Sequence, residues 1–197
     1  MVVETFKKVS RNDALAYFYC KYGESDRRDP ESILRTVVKQ LAIVNSDSCL
    51  PDSVVSLYRK HKNDGFKSGK LQVDESKDLI IRLTKEFQET FIVIDALDEC
   101  DKRSRDRLLD ALKSIMEETP HRVKVFVTSR DDDDIVLHLK GVPNVYIRSS
   151  DNSSDIETFI VAEIERCISK NKLLRGSVEP RLKQRIIWTL ADKAQGM

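Results

Sequence analysis

Apolar residues fall along this chain in two kinds of run. Short stretches rich in β-branched and aromatic residues predict strands: Ala14-Leu15-Ala16-Tyr17-Phe18-Tyr19-Cys20, Phe91-Ile92-Val93-Ile94 and Val123-Lys124-Val125-Phe126-Val127-Thr128-Ser129-Arg130. Between them apolar residues recur every three or four positions, the spacing of a helix face. Asp29-Pro30-Glu31 supplies an N-cap, a first-turn proline and a first-turn acid, and Ile33, Leu34, Val37, Val38 and Leu41 follow. Pro51 opens a second helix with Val54, Val55, Leu57 and Tyr58, and a third from about Asp74 carries Leu79, Ile80, Leu83 and Phe87. Ser104 is placed to cap a helix bearing Leu108, Leu109, Leu112, Ile115 and Met116, which Pro120 ends.

Beyond the third strand, Asp131 to Asp134 precede Ile135, Val136, Leu137 and Leu139, with Gly141 placed as a helix stop. Four acids at the positive end of a short helix dipole read as a solvated helix start rather than a metal site. Val145-Tyr146-Ile147 predicts one more short strand. Ser153 or Ser154 then caps a helix with Ile156, Phe159, Ile160, Ile164 and Ile168, and a last helix carries Leu182, Ile186, Ile187 and Leu190. Strands separated by helices imply an α/β fold of parallel βαβ units. Two final helices with no strand between them mark a helical subdomain, so the expected division is 1–150 and 151–197.

With 197 residues and 40% apolar content the chain can bury a core of ordinary size. Lys plus Arg (34) nearly cancel Asp plus Glu (33), which gives no electrostatic argument for nucleic acid or a membrane surface. Cys20, Cys49, Cys100 and Cys167 are far apart and form no C-x-x-C pair, which points away from zinc and toward a reducing compartment. No apolar run reaches the roughly 18 residues of a membrane span, and the first residues lack a secretory core. A cytoplasmic location is expected.

The chemistry concentrates in Phe91-Ile92-Val93-Ile94-Asp95-Ala96-Leu97-Asp98-Glu99-Cys100-Asp101, where an apolar strand runs into clustered carboxylates. Ligands of parallel sheets sit at the carboxyl ends of the strands, and the spacing hhhhD-x-x-D-E is that of a Walker B segment. Asp95 there would hold a hydrated Mg²⁺ carrying ATP or GTP phosphates, and Asp98 or Glu99 would orient the attacking water. Arg130, preceded by Thr128 and Ser129, ends the next strand, where additional-strand P-loop NTPases place a sensor of the γ-phosphate. The plainer alternative for Arg130 is a surface ion pair with one of Asp131 to Asp134. A Ca²⁺ or Mg²⁺ site on Asp95, Asp98, Glu99 and Asp101 without nucleotide fits no EF-hand spacing. Gly65-Phe66-Lys67-Ser68-Gly69-Lys70-Leu71 imitates a phosphate loop but has one residue too few between its glycines and no hydroxyl after the lysine.

Together these residues resemble a known module. Leu15 to Cys20, Asp29-Pro30, Lys39-Gln40-Leu41, Leu57-Tyr58 with Lys60-His61, Ile92 to Cys100, Phe126-Val127-Thr128-Ser129-Arg130, and Ala194 with Gly196-Met197 look like the NACHT-type NTPase module of fungal NOD-like receptors. These are nephrocystin-like multidomain proteins that often carry ankyrin or WD40 repeats. The resemblance covers nearly the whole chain and implies a signal-transducing ATPase or GTPase switch with Mg²⁺. It also implies homo-oligomerisation on activation and partner specificity set by flanking repeat and effector domains. The cofactor-binding residues would be Asp95, Thr128 and Arg130, the catalytic ones Asp98, Glu99 and Arg130.

The departures set limits. In the family a strand and a phosphate loop ending Gly-Lys-Ser or Gly-Lys-Thr precede the helix that Val2 to Val9 resembles, so the lysine and hydroxyl that hold phosphates are not in this sequence. Asp131 stands where a proline commonly follows Thr-Ser-Arg. The expected fold is therefore a partial P-loop NTPase sheet with helices on both faces, lacking its first strand. That strand would lie between Val123 to Thr128 and Val145 to Ile147, so its loss predicts either closure of these two or an exposed edge. Two readings of function remain open: part of a nucleotide switch that by itself binds weakly or not at all, and a catalytically dead interaction module or truncated gene product.

Overall fold

The computed structural model describes residues 12–44, 49–63, 70–120 and 122–194. Expectations for Val2 to Val9, for Gly65 to Gly69 and for Gly196-Met197 lie outside these residues. The chain divides into two compact units, Met1–Lys140 and Gly141–Met197.

The larger unit is a mixed α/β fold around three parallel strands in the order β1 (Ala14–Tyr19), β2 (Thr90–Asp95) and β3 (Val123–Val127). Register is continuous, with Ala14 beside Thr90, Tyr19 beside Asp95, Thr90 beside Val123 and Ile94 beside Val127. Helices α1 (Pro30–Val44), α2 (Asp52–Asn63) and α3 (Val73–Leu83) connect β1 to β2, and α4 (Arg105–Glu118) connects β2 to β3. A short helix α5 (Asp133–His138) follows β3.

Strand alternation decides which side chains enter the core. Ala14, Ala16, Phe18, Ile92, Ile94 and Val123 share one face and form a single cluster with residues of α1, α3 and α4. The apolar stripe read from the sequence of α1 (Ile33, Leu34, Val37, Val38, Leu41) is fully buried there. Asp29 caps that helix as expected, its Oδ2 accepting the Ser32 N–H at 2.9 Å. Helix α3 starts with a capping box between Gln72 and Glu75. Helix α2 buries only His61, whose Nε2 lies 2.7 Å from Glu75 Oε1.

The outer edge of β1 is finished by side chains. Tyr17 donates its N–H to Gln40 Oε1 at 2.7 Å, and Gln40 Nε2 donates back to the Tyr17 carbonyl at 2.9 Å, so one amide side chain takes the place of a strand partner. Arg27 Nε bonds the Tyr19 carbonyl at 3.2 Å. No further strand pairs with the outer side of β3 among the described residues.

Three local expectations are corrected. Ser104 occupies the N-cap position of α4 without capping it, because its hydroxyl turns to the Asp101 carbonyl. Ser153 is the first residue of its helix rather than the cap; Asn152 holds that position without a side-chain bond. Val145 to Ile147 is not a strand: these residues join no sheet, and Val145 is 90% exposed. β-propensity reports packing on neighbouring strands rather than a backbone preference, and three residues with no apolar layer beneath them gain nothing from it.

The smaller unit contains a helical pair, α6 (Ser153–Ser169) and α7 (Pro180–Ala194), in contact through a small core in which Ile164 and Ile187 are buried.

Candidate functional site

β2 delivers Asp95 to the carboxyl end of the sheet, and the chain then reverses sharply. Ala96 takes a left-handed conformation (φ 54°, ψ 51°), unusual for a residue with a Cβ. A single 3-10 turn, Leu97–Glu99, follows with Leu97 buried as its anchor. The reversal is what gathers Asp95, Asp98 and Glu99 at one end of the strand.

Thr128 holds this turn from β3. Its N–H bonds the Ile94 carbonyl at 3.0 Å, continuing the ladder, and its own carbonyl accepts the Leu97 N–H at 2.9 Å. Its hydroxyl accepts the Ala96 N–H at 2.9 Å and donates to Asp95 Oδ1 at 2.5 Å. The donated proton fixes the aspartate's rotamer and leaves it an acceptor. No described residue bonds Asp95 Oδ2.

The other predicted residues stand around the same turn. Asp98 Oδ1 accepts the Arg130 N–H at 3.2 Å, and Arg130 Nε lies 3.7 Å from Asp98 Oδ2. The Arg130 side chain is 87% exposed against 14% for Asp98, so the guanidinium reaches out of the site while its backbone is tied in. Arg130 is therefore not the partner of the following acids. Glu99 Oε2 accepts the Tyr22 N–H at 3.0 Å and ties the turn to the loop after β1. Asp101 points elsewhere, its Oδ1 accepting the Arg103 N–H. These four carboxylates thus serve separate partners, and no described group of three or more His, Cys, Asp or Glu could hold a metal ion.

Asp132 and Asp134 have a different role from the solvated helix start expected of them. Both bond Arg105, a fully buried side chain in the first turn of α4, and Lys102 also pairs with Asp132. Burial pulls the Arg105 guanidinium down, but the hydrogen bonds it donates to Asp134 and Asp132 outweigh this and hold it above the ordinary arginine value. Lys102 and then Arg105 keep Asp132 below the usual carboxylate range. Arg105 was missed in the sequence, although one signal was there: a cation in the first turn of a helix sits at the wrong end of the dipole and needs acids nearby.

Two thiols lie near the acids. Burial, followed by Cys100 once that thiol is itself ionised and by the negative charges of Asp95, Glu99 and Asp98, pushes Cys20 up to about 12. Burial likewise pushes Cys100 to about 11, with its Sγ donating to the Arg28 carbonyl at 3.0 Å. Both are neutral packing groups at physiological pH, not nucleophiles.

A three-stranded parallel sheet with Asp95 at the tip of its central strand defines a mixed α/β protein, and open sheets of this kind take ligands outside the carboxyl ends of their strands. The family described as nephrocystin 3, N-terminal, matches residues 1–130, and the chain belongs to that family. Comparison with curated proteins and with solved structures gave no match. No helix among the described residues is long and apolar enough to cross a membrane.

Proposed function

We propose that the chain carries the Mg²⁺-facing half of a nucleotide site in a NACHT-type signalling switch that binds and slowly hydrolyses ATP or GTP. The observation that supports this best is Asp95, held at the end of the central strand with one oxygen fixed by Thr128 and no described bond on the other. Mg²⁺ keeps several waters and takes one or two carboxylates beside substrate phosphates, so a single well-fixed aspartate suits it better than a carboxylate cage would. When bound, the ion neutralises phosphate charge.

The chain's own residues divide the remaining work. Asp95 would hold the ion through its water, and Thr128 keeps the carboxylate aimed. Asp98 or Glu99 orients the attacking water, each already anchored by a backbone N–H, from Arg130 and Tyr22 respectively. Arg130, exposed beyond Asp98, stabilises charge on the transferring phosphoryl oxygens. A cytoplasmic location, homo-oligomerisation on activation, and flanking repeat and effector domains as partners belong to the same proposal.

No G-x-x-x-x-G-K-[ST] sequence occurs in the chain, so the amides and lysine that cradle phosphates are missing and affinity is low. Titration calorimetry with Mg-ATP and Mg-GTP tests the reading. Weak, Mg²⁺-dependent binding that disappears in Asp95→Ala is expected. Absence of binding to either nucleotide would instead favour an interaction module, a reading that the Asp98–Arg130 pairing also supports, since each group then neutralises the other.

A further inference from the structure

We propose that Arg105 is a positioning residue of this site, clamping the acidic turn after β2 and the segment that carries Arg130 into one unit, with Asp132 and Asp134 as its counter-charges. The proposal rests on the nucleotide reading of Asp95, Asp98 and Arg130 and names the group that sets their geometry.

A guanidinium offers five N–H donors in a rigid plane, and at Arg105 five hydrogen bonds are made. Nε and Nη2 grip Asp134 as a fork at 2.9 and 2.7 Å, and Nη2 also reaches Asp132 Oδ2 at 3.0 Å. Nη1 turns the other way, to the carbonyls of Asp98 at 3.0 Å and Leu97 at 3.3 Å. The same Asp98 whose carbonyl is held by Arg105 receives the Arg130 N–H on its side chain. Asp98 is thus fixed at both its backbone and its carboxylate, and the 130–134 segment is fixed at Arg130, Asp132 and Asp134.

Stability alone does not account for this arrangement. Buried ion pairs are often matched or exceeded by well-packed apolar residues of the same volume, because desolvation offsets much of the attraction. What an apolar residue could not supply is direction: a planar fork that relates two carbonyls of one turn to two carboxylates of another segment. Lysine, a point charge on a flexible stem, could not supply it either.

The test compares the chain with Arg105→Lys and with Asp132→Asn, using hydrogen exchange at individual amides and Mg-ATP titration. In Arg105→Lys the amides of Leu97, Glu99 and Arg130 should exchange about tenfold faster than any change in the α3 core, and Mg-ATP binding should weaken about tenfold, the scale on which hydrogen-bond partners behind a ligand site act. Asp132→Asn should shift the same amides in the same direction, and adding it to Arg105→Lys should weaken binding less than the sum of the two. If Arg105→Lys does not fold, Asp132→Asn, at a carboxylate that is only partly buried, carries the test by itself. Exchange that rises uniformly through the core, or Mg-ATP binding unchanged in Arg105→Lys but lost in Asp95→Ala, overturns the clamp. A wild-type chain that shows no Mg-ATP binding overturns the nucleotide reading instead, and the exchange pattern still decides whether Arg105 orders the turn.

Discussion

On the β1 side of the sheet the outward-facing backbone groups are bonded by the chain's own side chains, Tyr17 by the Gln40 amide and the Tyr19 carbonyl by Arg27. On the β3 side no described residue supplies a ladder partner, and Phe126 is 45% exposed. An open edge is a template for pairing, and folded proteins usually cover it or charge it. Among the described residues only the β1 edge has its outward backbone groups bonded by side chains of the chain itself. Lys124, paired with Glu89 at 2.8 Å and lying over the Phe91 ring, is the one charged side chain that β3 carries.

Alkaline pH should separate the two edges most strongly. Cys20 extends the β1 ladder through its N–H to the Asp95 carbonyl, and Cys100 bonds the loop after β1. Their thiols ionise near the ordinary 9.0 when unfolded but only at about 12 and about 11 when folded. The stability they contribute is therefore complete below pH 9 and lost as pH rises toward 11 and 12. Each thiol should remove about 1.4 kcal/mol per pH unit across that window, measured by chemical unfolding, with β1 amides loosening before those of β3. A slope unchanged by Cys20→Ala would remove that thiol from the account. Next in size is Gln40→Leu, which strands the Tyr17 N–H and carbonyl at a cost of about 1–3 kcal/mol. Urea unfolding should record that loss, and sedimentation should show a new concentration-dependent association; a monomer of unchanged stability would mean that Gln40 does not close the edge. Smallest is Phe126→Lys on the open edge, which should leave stability within about 0.5 kcal/mol while reducing any self-association.

Much of this fold was legible because its signals are periodic. The stripe from Ile33 to Leu41 and the apolar run Ile92 to Ile94 each carry their own arithmetic, and each is buried as that arithmetic requires. The acidic tip and the gathering of Asp98 with Arg130 were also legible, since both lie where strands of a parallel sheet end. What escaped the sequence depends on side chains meeting across long separations. Arg105 finds Asp134 across 29 residues and Gln40 finds Tyr17 across 23, and neither pairing leaves a local mark. Val145 to Ile147 fails in the opposite sense, having a local signal for a strand and no neighbour to make it one.

Ala96 gives this architecture a constraint on how the chain can vary. An alanine held at positive φ costs on the order of 1–2 kcal/mol, and the residue that offsets the cost, Thr128, stands 32 positions later. Positions 96 and 128 are therefore not free to drift separately. Glycine at 96 would relieve the strain that the threonine's bond to the Ala96 N–H offsets, leaving the bond to Asp95 as the hydroxyl's remaining task; any bulkier residue at 96 would make Thr128 harder to replace. Two letters of the sequence that look unrelated are bound into a single choice.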